Sequence, residues 1–62
     1  MDQLKLIVAQ NITDLRRKNN MTQAELAEKI NYSDKSVSKW ESGNGVPDVY
    51  ILMQIAELFG IT

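Results

Sequence analysis

The chain has no cysteine and no histidine. The first absence removes any disulfide framework and any thiolate nucleophile, and it suits a cytoplasmic chain. The two together leave no basis for a zinc site, and no metal or cofactor is expected. Without those residues, a glycine-rich phosphate loop or a paired-carboxylate site, so short a chain offers little to an enzyme, and none is expected. No apolar run approaches the roughly 20 residues that cross a membrane. The LKLIVA stretch near the start is too short for a secretory signal core. No alternating run bounded by turns marks a strand.

What is present fits a single small domain. Sixty-two residues, 44% of them apolar, allow one core and do not read as disordered. The net charge of −1 and pI near 5.1 argue, taken alone, against a nucleic-acid partner. The charges are unevenly placed, however. Residues 1–40 hold all seven Lys and Arg against five acids, a balance of +2, whereas residues 41–62 hold three acids and no base, a balance of −3. A polyanion would therefore be met by the first two thirds of the chain.

Helical spacing organises the whole chain into four helices, an all-α bundle. Leu4, Val8, Ile12 and Leu15 form one stripe over residues 2–18, with Leu6 and Ile7 broadening it. Asp2 at the start and Arg16, Arg17 and Lys18 at the end complement the helix dipole, and Asn19-Asn20 is a helix exit. Thr22 followed three residues later by Glu25 reads as a capping box opening a second helix, with Leu26, Ala27 and Ile30 inward. Asn31 takes a turn, and Ser33 caps a third helix that runs to about Ser42, with Gly43 as its stop. Two helices separated by about three residues cross steeply, the helix-turn-helix geometry.

At 100° per residue, the third helix places Ser33, Val37, Trp40 and Glu41 on one arc and Lys35, Ser38, Lys39 and Ser42 on the other. A glutamate on the inner arc needs a partner, and Arg16 is the candidate. After the Gly43-Asn44-Gly45 loop, Pro47-Asp48 announces a last helix carrying Leu52, Ile55, Ala56 and Phe59, flanked by Ile51 and Leu58. Gly60 closes it, with Ile61 folding back. The expected core is Val8, Ile12, Leu15, Leu26, Ala27, Ile30, Val37, Trp40, Leu52, Ile55, Ala56 and Phe59.

The segments MTQAELAEKI, S-x-x-S-V-S-x-W-E-S-G and P-D followed by IAELFGIT resemble the Cro- and phage-repressor-like regulators, the XRE family. The resemblance covers essentially the whole chain. In that family's twenty-residue motif, here Gln23–Ser42, apolar residues fall at Leu26, Ile30, Tyr32, Val37 and Trp40 and a small one at Ala27. It implies a lambda-repressor-like bundle of four to five helices that binds double-stranded DNA, as a homodimer when full length. Residues 1–62 would then be the N-terminal DNA-binding domain of a longer regulator, expected to be a repressor. Two features depart from the pattern: Asn31 stands where glycine is usual, and the fifth helix would follow Thr62.

By position the resemblance assigns Asp34, Lys35 and Lys39 to base edges, with Ser36 and Ser38 nearby. It assigns Thr22 and Gln23 to phosphates, with Arg17, Lys18, Ser42 and Asn44 as further phosphate contacts. Plainer readings stand beside these. Lys35 and Lys39 are also an ordinary solvated pair, and Asp34 reads first as a first-turn acid. Trp40 reads as core rather than as a stacking platform, and Tyr32 as core or rim. Thr22 is a cap in either case. The Arg16–Glu41 pair reads as structural. The same fold can also serve as a protein-interaction or antitoxin-like module, which an apolar outer face on the third helix would favour.

Overall fold

The computed structural model describes residues 3–60, and the roles expected of Asp2 and Ile61 lie outside them. Four helices follow one another among these residues: α1 (Gln3–Lys18), α2 (Gln23–Lys29), α3 (Asp34–Glu41) and α4 (Val49–Phe59).

Each helix boundary has a local cause. Thr22 closes a full capping box, its Oγ1 accepting the Glu25 N–H at 3.0 Å while its own N–H donates to Glu25 Oε1 at 2.8 Å. Ser33 and Asp48 cap α3 and α4 by accepting the N–H groups of Ser36 and Ile51. The exits of the first three helices share one design. Asn20, Asn31 and Gly43 take φ of 57°, 61° and 80°. The following N–H reaches back to a carbonyl five residues earlier: Met21 to Arg16, Tyr32 to Ala27 and Asn44 to Lys39. This is the Schellman closure, which satisfies carbonyls the helix leaves free. The glycine missing at the turn between α2 and α3 is thus replaced by a residue that tolerates the left-handed region.

The core lies where the helices converge. Ile12, Leu26, Ala27, Ile30, Val37, Trp40, Ile51 and Ile55 form one buried cluster, with Val8, Met21 and Phe59 packed against it. Ala27 is at the α2–α3 corner, where its carbonyl receives the Tyr32 N–H at 2.8 Å. Tyr32 lies on the rim, exposed but with its ring 5.4 Å from that of Trp40.

The stripes expected for α1 and α4 are corrected in two places. Leu52 is 36% exposed, while its neighbour Ile51 is buried. With Ile51 and Ile55 inward, Leu52 lies about 100° round the helix. There it lines a groove between α1 and α4 with Val8, Leu15 and Ala56, so that Leu15 and Ala56 are only half-buried. On α1, Ala9 is buried and Leu4 is 66% exposed. Five positions apart, Ala9 and Leu4 lie about 140° from each other round the helix, so a face that buries Ala9 turns Leu4 away.

Candidate nucleic-acid interface

The corner between α2 and α3 fixes what α3 shows to solvent. Val37 and Trp40 are buried, which turns Lys35, Ser38, Lys39 and Ser42 outward, all exposed, with Asp34 exposed at the helix start. Lys35 and Lys39 are like charges one turn apart, an arrangement that disfavours an isolated helix by about 0.2–0.5 kcal/mol. Lys39 in the last turn complements the helix dipole, whereas Lys35 one turn earlier has no such role in the stability of α3.

Several of the expected contact residues have local partners. Ser36 is half-buried, its hydroxyl 3.2 Å from that of Ser33 inside the α3 cap, so it faces the helix start rather than the outer arc. Ser42 Oγ donates to the Lys39 carbonyl at 2.9 Å and accepts from Asn44 Nδ2 at 3.0 Å. Those two side chains hold the loop after α3 in shape while remaining exposed. Thr22 Oγ1 serves as cap acceptor and keeps its proton for another partner.

Beneath this surface Arg16 and Glu41 join the ends of α1 and α3. Arg16 Nε donates to Glu41 Oε2 at 2.6 Å and Nη2 to Oε1 at 3.0 Å, with the side chains 13% and 8% exposed. Arg16 Nη1 donates to the Met21 carbonyl at 2.8 Å, which ties the α1–α2 loop to the same point. Burial alone pushes the Glu41 carboxyl up. Hydrogen bonds from Arg16 and Gln23, with the Arg16 charge, outweigh it and hold the group below its ordinary range. The bond to Glu41 in turn raises Arg16, against the opposing effect of burial.

Gln23 is the residue whose role sequence reasoning missed. Its Nε2 donates to Glu41 Oε1 at 3.0 Å and the side chain is half-buried. Its partner is 18 positions away, so no local signal marks it. One N–H of Nε2 is taken, and the second is left for an acceptor outside. The Arg16–Glu41 bond also ties the last turn of α1 to the last turn of α3, and Arg17 and Lys18, which follow Arg16, are exposed.

This constellation is a short helix with a polar, basic outer face, braced from behind and joined through a left-handed turn to a capped partner. Residues 12–62 match the helix-turn-helix family. The chain belongs to that family. The resemblance to Cro- and phage-repressor-like regulators and the all-α fold are thereby borne out. Among similar proteins, the HTH-type transcriptional activator BcrR of Enterococcus faecalis is 40% identical over 53 residues, covering 86% of this chain and 26% of its own. The cryptic phage CTXphi transcriptional repressor RstR of Vibrio cholerae is 34% identical over 55 residues, covering 89% of this chain and 49% of its own. Multiprotein-bridging factor 1c of Arabidopsis thaliana is 33% identical over 61 residues, covering 98% and 41%. The chain spans between about a quarter and a half of the length of these relatives.

Proposed function

We propose that this chain is the DNA-reading module of a cytoplasmic transcriptional regulator, acting as a homodimer on a palindromic operator. The observation that carries this reading is the division of α3 into a buried apolar side and an exposed side of Lys35, Ser38, Lys39 and Ser42. A major groove about 12 Å wide admits one helix, and in helix-turn-helix proteins the second helix of the motif lies in it. Lys35 and Lys39 donate to guanine O6 and N7, and Asp34 accepts from cytosine N4. Ser38 lies between the two lysines as a further base contact, with Ser36 at the edge of that surface. Thr22, Gln23, Arg17, Lys18, Ser42 and Asn44 meet phosphates and set the orientation. Repression follows from occupancy of a promoter alone, and two relatives, one named an activator and one a repressor, both support regulation of transcription.

A second reading, a protein-interaction module, is supported by different observations. Val49, Tyr50 and Met53 on α4 are large, apolar and exposed, and one relative is named a bridging factor. The polar, basic outer face of α3 favours DNA over this alternative.

Selection from a random duplex pool at stated salt separates the two. Recovery of a consensus with dyad symmetry supports the DNA reading, and recovery of none supports the protein-interaction reading. Within the DNA reading, Lys39→Ala relaxes preference at one base pair by about 1–3 kcal/mol, with a smaller change in non-specific affinity. Equal affinity of variant and parent for every single-pair change in the site would remove Lys39 from the base contacts.

A further inference from the structure

Gly43 and Gly45 flank Asn44 in the loop after α3, and they are glycines for different reasons. Gly43 takes the left-handed exit of the helix at φ 80°, and a methyl group there would lie 3.2 Å from Leu6 Cδ2. Gly45 is outside the left-handed region, so its φ does not call for glycine. What a side chain at Gly45 would meet is Lys39. A methyl group placed there would stand 3.3 Å from Lys39 Cε and 3.7 Å from both Cδ and Cγ. Three consecutive methylenes of the lysine stem therefore lie along this glycine. The main chain holds the other end of the same residue: the Lys39 carbonyl accepts the Asn44 N–H at 3.1 Å and the Ser42 hydroxyl at 2.9 Å.

We propose that Gly45 is a specificity-determining residue, the side-chain-free bed along which the Lys39 stem lies. The inference rests on the reading of Lys39 as a base contact. An unconstrained lysine samples many rotamers, and ordering it on binding opposes affinity. A stem laid along the loop presents its ammonium in fewer directions before DNA arrives, and long charged side chains readily pack their methylenes in this way. A methyl at Gly45 leaves Lys39 Cγ and Cδ at ordinary contact distance and asks Cε to give by a few tenths of an ångström. The backbone is kept, and the shift falls at the end of the stem that carries the ammonium.

The experiment is a double-mutant cycle of Gly45→Ala and Lys39→Ala in the whole chain, measured on the selected site and its single-base-pair variants, with thermal melting of each protein. Gly45→Ala is expected to leave the melting temperature near that of the parent. It weakens the selected site about three- to tenfold and changes preference at the same base pair as Lys39→Ala, within the range of one base contact. In the Lys39→Ala background it changes affinity less than about twofold. The same loss with Lys39 absent, or an unchanged panel for Gly45→Ala beside an altered one for Lys39→Ala, overturns the role of Gly45 and leaves Lys39 as a reader. An unchanged panel for Lys39→Ala overturns both. If Gly45→Ala does not fold, nuclear Overhauser contacts between Gly45 Hα and the Lys39 methylenes in the parent decide the matter. Their presence supports the bed, and their absence overturns it.

Discussion

Glu41 is the side chain on which the most structure converges. It receives Arg16 from α1 and Gln23 from α2 while itself ending α3. Removing one partner of a part-buried pair leaves the other short of its charged hydrogen bonds, and Glu41→Ala is expected to cost about 1–3 kcal/mol in urea unfolding. For a domain of this size that is a large share of total stability. It acts on the fold, so the base preference of the surviving folded protein is expected to stay as in the parent. The pH dependence has a definite sign. The folded carboxyl is held below its ordinary value of 4.5, so the unfolded chain takes up the proton first as pH falls. The contribution of the pair is complete above that value and is lost as pH falls through the depressed folded value. Urea midpoints followed from about pH 6 to pH 3 should therefore drop more steeply in the parent than in Glu41→Gln. Parallel curves would mean that Glu41 does not carry the acid sensitivity.

At the scale of elements, the corner between α2 and α3 depends on one unusual backbone position. Asn31 holds φ 61°, and an alanine there carries the left-handed penalty of about 1–2 kcal/mol. Asn31→Ala is expected to destabilise by about 1 kcal/mol, whereas Asn31→Gly stays close to the parent or above it. Equal melting temperatures for the two variants would show that the turn has relaxed. The capping box of α2 is a second local device. Thr22→Ala removes the acceptor of the Glu25 N–H and is expected to cost about 1 kcal/mol, read as a lower urea midpoint with an unchanged slope. These boundaries were legible in the sequence because caps and left-handed exits are chosen by residues within three or four positions of one another. The rotation of α4 was not legible. Leu52 and Ile51 are both apolar, so the periodicity alone could not say which turned inward. Contact with the rest of the bundle decided it.

At the scale of the whole molecule, the charge is near neutral overall but unevenly distributed, and this shapes any encounter with DNA. Arg17 and Lys18 are exposed in the last turn of α1, and each is proposed to neutralise a phosphate. Replacing either by alanine should weaken binding to all duplexes alike and reduce the slope of log K against log salt by about 1. A change confined to one base pair would instead make it a reader of sequence.

The sequence by itself determined where each helix begins and ends, the family, and the outward side of α3. Capping, left-handed exits and 100° periodicity are local properties, and the motif from Gln23 to Ser42 concentrates them. Tertiary structure alone decided which side of α4 turns inward, that α1 buries Ala9 rather than Leu4, and that Gln23 completes the Arg16–Glu41 pair. It also laid the stem of Lys39 along Gly45, six positions away and outside the helix. The reason is the same in each case. These features depend on distances between segments, which no spacing along one helix encodes.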